Sequence, residues 1–374
     1  MKHICYCIHS LYNAGGMESI ISHKANYLSK YGYKVSIITT EQKSKKTFFE
    51  LDTRVQLYDL GVNYKDDQHR GYFFKSIGFW KRIWRHKKEL KNLLLYLKPD
   101  VVISTFGNEA LFLHGINDGS KKIIEIHFSK LFRLQLNRKG LWRWIDRIRT
   151  YIDECIVKKY DKFIVLTHED KLLWGNLRNI QVIPNFITIS PGSRMALTHH
   201  CVVAVGRLSY QKGFDRLLQI WYIVNSKYPN WKLKIYGAGE LKEDIINNIQ
   251  LLGLDKSVAI CDPIHNISDI YNEADIFVLT SRYEGLPMVL LEAMSYGLPI
   301  VSFDCKCGPR DLINHGYNGY IVRDGDIKEF ANYLMSLISQ GEKRCEMSMR
   351  AKQMINTYSD INIMKKWINL FETL

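Results

Sequence analysis

The sequence predicts an α/β protein with two doubly wound domains in tandem and a ligand cleft between them. Its length of 374 residues suggests two domains rather than one. Hydrophobic residues make up 46% of the chain and charged residues 24%, as in a globular rather than a disordered protein. Short apolar runs alternate with helical lengths, and this pattern restarts once after a polar segment.

The first domain is predicted over residues 1–190. Strand-like apolar runs separated by helical lengths predict parallel strands, and these runs lie at residues 4–11, 35–40, 101–105, 123–127 and 163–167. Gly15 and Gly16 follow the first run and lead into a helical stretch that ends near Gly32. Glycines there let backbone N–H groups approach a phosphate, and a plain strand–helix turn is the alternative explanation.

The second domain is predicted over residues 191–355, following a polar linker at residues 187–200. Its strand-like runs lie at residues 201–205, 232–236, 274–280 and 299–303. From residue 326 onward the chain is predicted to be helical. We expect the last helix, at residues 356–374, to fold back on the first domain.

Basic residues are concentrated in the first domain. Residues 1–198 contain 33 Lys and Arg and 18 Asp and Glu, a net charge of +15, whereas the rest of the chain carries −1. Two segments, 70–98 and 131–152, combine basic and aromatic side chains, which suits an anionic membrane surface. The alternatives are a solvated helix face and a nucleic-acid site, although no nucleic-acid-binding motif supports the latter.

The sequence also bears on location. It has no run of about 18 apolar residues that would span a membrane. The first residues lead into an apolar run without a cleavage site of small residues, so we expect no signal peptide. The eight cysteines form no C-x-x-C pair, which argues against a zinc site and favours a reducing compartment. We therefore expect a cytoplasmic protein, peripheral on the inner face of the cytoplasmic membrane.

A loop with two cations follows the first predicted strand of the second domain. Arg207 and Lys212 are five residues apart, between Gly206 and Gly213. An Arg fork and a Lys point charge at the end of a strand can clamp a diphosphate. Surface charges in a loop are the alternative. The first domain lacks the G-x-G-x-x-G pattern, so an oxidoreductase that uses a dinucleotide is disfavoured.

The segment from 281 to 292 is the most informative part of the sequence about function. Pro287 suits the first turn of a helix, and Gly285 and Leu286 place N–H groups at its positive end, ready for a phosphate. Glu284 precedes this helix and Glu292 lies within it, among apolar residues, so both can accept hydrogen bonds from sugar hydroxyls. A capping Glu and a surface Glu are the alternative. A glycosidase also needs two carboxylates, but the adjoining cations favour an anionic substrate.

Together these residues resemble glycosyltransferase family 4, whose members are retaining enzymes with the GT-B fold of two Rossmann-like, doubly wound domains. The resemblance is specific in residues 201–325, where Arg207, Lys212, the 237–239 glycine turn and the Glu284–Glu292 pair occur in the family's order. It is weaker before residue 190. The matching residues there are Gly15, Gly16, His127, Pro184 and Asn185. The stretches 307–313 and 316–319 also resemble enzymes that build bacterial surface polysaccharides.

The resemblance implies roles for these residues. Arg207 and Lys212 would hold the donor diphosphate, and Glu284 would contact the transferred sugar. Glu292 would bind the ribose hydroxyls, and His127 would lie near the donor sugar, so that Arg207, Lys212, Glu284 and His127 are the implied catalytic residues. The other implied contacts with the nucleotide sugar come from Gly15, Gly16, Asn185, Gly206, Tyr236, Gly237, Gly239, Pro263, Ile264, Gly285, Leu286, Pro287, Met288 and Val289.

The resemblance also implies an activity: transfer of a hexose or N-acetylhexosamine from a nucleotide sugar, with UDP favoured. The acceptor would be a glycan or a lipid-linked glycan in envelope, capsule or O-antigen assembly. The family's mechanism retains the anomeric configuration without a metal, a cofactor or a protein nucleophile, and the sequence has no D-x-D motif flanked by apolar strand residues. A non-catalytic protein on the same fold, binding nucleotide sugars or acting as a membrane scaffold, is the alternative.

Overall fold

A computed structural model describes residues 1–64, 72–134, 140–189, 198–264 and 267–374. The predicted boundary between residues 190 and 191, and most of the predicted linker with it, lie outside the described residues. The chain forms two parallel sheets, each flanked by helices.

The first sheet has seven strands. They are β1 (His3–Ile8), β2 (Lys34–Thr39), β3 (Gln56–Asp59), β4 (Val101–Ser104), β5 (Lys121–Glu125), β6 (Lys162–Val165) and β7 (Ile180–Val182). The helices of this half are α1 (Gly16–Lys30), α2 (Tyr72–Leu97), α3 (Leu141–Val157) and α4 (His168–Trp174). The strand order is β3-β2-β1-β4-β5-β6-β7, so the direction of winding reverses between β1 and β4.

The second sheet has six strands. They are β8 (Cys201–Val205), β9 (Lys232–Tyr236), β10 (Val258–Cys261), β11 (Ile276–Leu279), β12 (Ile300–Phe303) and β13 (Gly319–Val322). The helices are α5 (Phe214–Lys227), α6 (Lys242–Leu251), α7 (Ile267–Asn272), α8 (Met288–Ser295), α9 (Pro309–Leu312), α10 (Ile327–Ser339), α11 (Gly341–Ile355) and α12 (Asp360–Thr373). The order β10-β9-β8-β11-β12-β13 reverses between β8 and β11, as in the first sheet.

The last helix, α12, packs on the first sheet. Trp367, Leu370 and Phe371 share one buried cluster with Tyr6 of β1 and Ile37 of β2. Trp367 is fully buried, and replacing such a side chain by Ala typically costs about 3–5 kcal/mol of folding free energy. The predicted fold class, two doubly wound α/β domains with a C-terminal helix that returns to the first domain, is therefore confirmed.

Four strands were absent from the sequence prediction: β3, β7, β10 and β13. All four are edge strands of the two sheets. Inner parallel strands are buried on both faces and read as continuous apolar runs, whereas edge strands are short and partly exposed. Strand β3, for example, has no fully buried residue. Strands β3 and β7 lack an apolar run, whereas β10 and β13 are apolar but only four residues long, too short to stand out as strands in the sequence.

Several predicted strands also extend too far at their carboxyl ends. The run at 4–11 ends as a strand at Ile8, and the run at 123–127 ends at Glu125. The residues that follow are buried or partly buried, so they read as strand, but they belong to loops at the carboxyl edge of the sheet. His127 thus lies in the loop after β5 rather than within the strand.

Candidate functional site

The loops after β8 and β9 are joined through their backbones. The amide of Gly206 donates to the carbonyl of Tyr236 over 3.0 Å, and the amide of Leu208 donates to the carbonyl of Ala238 over 2.9 Å. A Cβ atom at Gly237 would lie 1.9 Å from the Gly206 carbonyl oxygen, and only glycine permits this approach. A Cβ atom at Gly239 would lie 2.4 Å from the Leu208 carbonyl oxygen. The predicted glycine turn therefore sets the shape of the loop that carries the two cations.

The two cations of that loop differ in their surroundings. The amino group of Lys212 donates to Oε1 of Glu284 over 2.6 Å, and the Lys212 side chain is 17% exposed. Arg207 is exposed, and its side chain makes no hydrogen bond or ion pair with any residue that the structure describes; only its backbone carbonyl accepts, from the Ser209 hydroxyl. The structure thus brings Lys212 and Glu284 together, and it leaves the Arg207 guanidinium available to a ligand.

Glu284 is held by both its side chain and its backbone. The Ser281 hydroxyl donates to the carboxylate oxygen that Lys212 also contacts, over 2.7 Å. The Glu284 amide donates to the carbonyl of Lys306, and the amide of Cys307 donates to the carbonyl of Glu284. The carboxylate is 93% buried, so its orientation is fixed before any ligand arrives. Such preorganisation is what recognition of a sugar hydroxyl requires.

Helix α8 begins beside Glu284. Its first residue is Met288, and Pro287 is the N-cap residue, so the proline lies one position before the predicted first turn. Leu286 is buried. The partly buried Met288 and Val289 pack against the second sheet's apolar cluster. The segment thus presents the start of the helix beside Glu284, as the sequence predicted.

Glu292 of α8 has a partner that the sequence analysis missed. The phenol of Tyr271, on α7, donates to Oε2 of Glu292 over 2.7 Å. Burial raises the pKa of Glu292, and the Tyr271 hydrogen bond and the charge of Lys212 oppose this shift. A tyrosine in a short helix gives no sequence signal for such a contact. The contact holds one oxygen of the buried Glu292 carboxylate in place.

The two halves of the molecule meet beside this segment. A Cβ atom at Gly285 would lie 2.7 Å from the carbonyl oxygen of His127 and 3.0 Å from Cα of Phe128. A second contact lies nearby, where the thiol of Cys307 donates to the Ser129 hydroxyl over 3.4 Å. The loop after β5 therefore lies directly against the loop that carries Glu284, and His127 belongs to the same site.

The side chain of His127 is 93% buried. Both of its ring nitrogens are buried: Nε2 lies 3.3 Å from Oε1 of Glu125, and Nδ1 has no hydrogen-bond partner within the described residues. An unpaired buried polar group costs about 1–3 kcal/mol, so native structures pair nearly all of them. The buried side-chain oxygen of Asn185 is also unpaired among the described residues. These atoms are suited to hydrogen bonds with a ligand.

A buried ion pair that the sequence analysis missed lies under His127. The Lys24 amino group donates to Oε2 of Glu125 over 2.6 Å, and both side chains are at most 1% exposed. Burial alone would raise the pKa of Glu125, but the charges of Lys24 and His127 lower it to about 2. A lysine in α1 and a glutamate within the apolar run of β5 were the available signals.

Some predicted contacts lie at the margins of this site. Gly15 is the N-cap residue of α1 and Gly16 its first residue, and the Glu18 carboxylate folds over Gly15. A phosphate at this turn requires the Glu18 side chain to move away, because two anions would otherwise meet. Pro263 and Ile264 are exposed in the loop after β10, next to the end of β9. Their contacts with a nucleotide stay predictions.

Within the described ranges, no three His, Cys, Asp or Glu side chains are grouped so that they could hold a metal ion.

A cavity of about 970 Å³ lies between α1, the chain crossing at Phe186–Ile189 and the start of α12. None of the predicted site residues lines this cavity. The candidate site is instead the open cleft at the facing carboxyl edges of the two sheets.

Two parallel α/β domains that meet at a cleft, with a Lys, an Arg and two Glu at its edge, define the GT-B class of glycosyltransferase. Comparison with protein families agrees. The model described as "Glycosyltransferase Family 4" matches residues 14–190, and the model described as "Glycosyl transferases group 1" matches residues 188–354. The chain belongs to glycosyltransferase family 4 and is a glycosyltransferase, as the sequence predicted.

Relatives match almost the whole chain. It is 33% identical over 376 residues to an uncharacterized glycosyltransferase of Haemophilus influenzae, with 98% of this chain and 99% of the relative covered. It is 29% identical over 385 residues to the amylovoran biosynthesis glycosyltransferase AmsD of Erwinia amylovora, with the same coverage. The crystal structure of TarM superposes with a TM-score of 0.82 over 99% of both chains at 19% identity, which shows the shared fold.

Proposed function

We propose that this glycosyltransferase transfers a hexose or N-acetylhexosamine from a UDP-sugar to a glycan or lipid-linked acceptor of a cell-envelope polysaccharide. The observation that carries the proposal is the 2.6 Å contact between Lys212 and Glu284, with the exposed Arg207 in the same loop. Two relatives support the substrate classes. AmsD acts in amylovoran biosynthesis, and TarM from S. aureus has been crystallised as a mutant with UDP.

The proposed mechanism needs neither a metal nor a protein nucleophile. Arg207 and Lys212 stabilise the negative charge that develops on the diphosphate as its bond to the anomeric carbon breaks. The acceptor oxygen bonds to that carbon on the same face, so the configuration is retained, and its proton passes to the leaving phosphate. Glu284 and His127 hold the sugar, and Glu292 holds the ribose. Contact between the two domains excludes water from the reacting atoms.

A thermal-shift screen with UDP, GDP, ADP and a panel of UDP-sugars, in the presence of EDTA, tests this proposal. UDP at 100 times its dissociation constant adds about 2.7 kcal/mol to the free energy of unfolding. We expect a shift with UDP that is lost in Arg207→Ala and kept in Arg178→Ala, a matched change of an exposed arginine in the first domain. UDP release from a UDP-sugar is then measured. Absence of both a UDP shift and UDP release overturns the proposal.

We further propose that an anionic membrane binds the basic-aromatic surface, defined as the exposed faces of α2 and α3. Trp84 is 68% exposed on α2, and Trp144 is 64% exposed on α3 beside the exposed Arg143 and Arg147. On a bilayer, the aromatic rings would lie at the level of the lipid headgroups and the cations would face anionic lipids, which favours binding through this surface. Residues 70–71 and 135–139 of the predicted basic segments lie outside the described residues. No helix of the described chain has both the length and the apolar composition needed to cross a bilayer.

Vesicle co-sedimentation tests the basic-aromatic surface. We expect binding to vesicles of phosphatidylglycerol and phosphatidylcholine that decreases with added salt, and little binding to phosphatidylcholine alone. The Trp142→Ala/Trp144→Ala variant should bind less. Tyr222→Ala is the matched control, because Tyr222 is 56% exposed on α5 of the other domain. Equal binding of the double variant and the wild type would assign these aromatic rings to a solvated helix face.

A further inference from the structure

Four side chains form a continuous buried row from the C-terminal helix to the candidate site. The ring of Trp367, on α12, lies 4.1 Å from the amino group of Lys24. Lys24 donates to Oε2 of Glu125, and Oε1 of Glu125 lies 3.3 Å from Nε2 of His127. The first three side chains are at most 1% exposed. The row therefore ends on the histidine that lies against Gly285.

Stability alone does not explain this row. Burying two opposite charges costs several kcal/mol per ion, and apolar residues of similar size often serve folding as well or better. The row also ends on a buried polar atom, because Nδ1 of His127 has no hydrogen-bond partner within the described residues, whereas Nε2 lies 3.3 Å from Oε1 of Glu125. A role in orienting the histidine explains both features.

The geometry points to a positioning function for this row. We propose that Lys24 and Glu125 are positioning residues for His127, which they hold so that Nε2 faces the Glu125 carboxylate and Nδ1 faces the bound sugar. Lys24 fixes the carboxylate by binding one oxygen, and the other oxygen then selects the tautomer of His127 with its proton on Nε2. The ring of Trp367 closes the row, so α12 contributes to the site. This inference rests on the proposed function, in which His127 contacts the sugar.

The same strand offers a matched control. At the opposite end of β5, Lys122 forms an ion pair with Asp118, and the two side chains are 5% and 0% exposed. The backbone amide of Lys122 donates to the Asp161 carboxylate, at the edge of the sheet opposite the cleft. This second pair is as buried as the first but lies away from His127. It separates the effect of losing a buried ion pair from the effect on the histidine.

The test compares stability with turnover. Lys24→Met and Glu125→Gln each leave a lone buried polar or charged group, and each should lower the melting temperature. The double variant Lys24→Met/Glu125→Gln should recover most of that loss. Its kcat for UDP release from a UDP-sugar should nevertheless stay about tenfold or more below that of the wild type, while KM changes less than about twofold. The control Lys122→Met/Asp118→Asn should keep the wild-type kcat.

A second readout needs no substrate. In protein labelled with ¹⁵N-histidine, the ring signals of His127 are assigned by their loss in His127→Gln, and their shifts report the tautomer. We expect the proton on Nε2 in the wild type and in the Lys122/Asp118 control, and a changed tautomer population in the Lys24/Glu125 double variant. An unchanged tautomer, or a wild-type kcat in the stable double variant, overturns the inference. A wild type that releases no UDP from any sugar instead overturns the proposed function, and the tautomer test still stands.

Discussion

Gly285 lies against the backbone of His127 so closely that a Cβ atom at this glycine would be 2.7 Å from the histidine carbonyl oxygen. Real Cβ atoms essentially never approach an oxygen to this distance. The loop that carries Glu284 and the loop that carries His127 can therefore meet because residue 285 has no side chain. This contact joins the two domains at the site itself.

Gly285→Ala should therefore separate nucleotide binding from turnover. The methyl group pushes the two loops apart, so we expect kcat to fall about tenfold or more while UDP affinity, which depends on the second domain, stays within about twofold. Turnover and calorimetric titration measure the two quantities. Gly115→Ala is the control, because a Cβ atom there meets nothing within 4 Å. Wild-type turnover in Gly285→Ala would mean that the reaction does not need this contact.

Lys212→Met removes the cation that contacts Glu284. The Glu284 carboxylate then keeps the Ser281 hydrogen bond but loses its cation, and the diphosphate loses one positive charge. We expect kcat to fall by roughly 10²–10³, the usual effect of losing one group that stabilises developing charge. Lys212→Arg should restore part of this loss. Lys2→Met is the control, since Lys2 pairs with Glu372 far from the cleft. An equal loss of kcat in Lys212→Met and in Lys2→Met would mean that the effect reflects stability rather than the cleft.

Tyr271→Phe tests the contact with Glu292. Hydrogen bonds to charged groups contribute about 1.5–3 kcal/mol, so we expect UDP affinity to fall roughly tenfold in this variant. The expected loss is smaller for 2′,3′-dideoxy-UDP, which lacks the ribose hydroxyls. Tyr296→Phe is the control: its ring lies 5.5 Å from that of Tyr271, and its hydroxyl donates to Ser268 instead. Equal losses of affinity for UDP and for the dideoxy analogue would mean that Glu292 does not bind the ribose hydroxyls.

The Glu125 carboxylate should also govern acid stability. Its pKa is about 2 in the folded protein, against an ordinary value of 4.5. A lowered pKa contributes stability that is fully present above about pH 4.5 and is lost as the pH falls toward 2. Urea unfolding between pH 5 and pH 3 should show a shallower decline in the free energy of unfolding for Lys24→Met/Glu125→Gln. Parallel curves for this variant and the wild type would contradict the assignment.

Much of the fold can be read from the sequence, and the omitted strands are the short strands at the edges of the two sheets. The inner strands of both sheets were predicted, as in β1 and β8, because burial on both faces demands continuous apolar runs. The four edge strands were not predicted. Strand β3 carries no such run, since its outer edge and part of its faces meet water.

The residues of the candidate site also form two groups, those that a local sequence pattern predicts and those that it does not. Arg207, Lys212 and Glu284 were predicted because each stands in a short segment whose glycines, proline and charges form a local pattern. Tyr271 and Lys24 were not, because nothing near them in the sequence marks their partners. Lys24 and Glu125, for instance, are 101 residues apart along the chain.

The sequence by itself determined the two-domain α/β architecture, the loop with two cations, the helix beside Glu284 and the basic first half. These are local properties of apolar periodicity, composition and turn residues. Only the tertiary structure decided that Gly285 meets His127, that Tyr271 binds Glu292 and that Trp367, Lys24 and Glu125 lie in one row under the histidine. Such contacts join distant segments, so they depend on how helices pack on sheets and how the two domains meet.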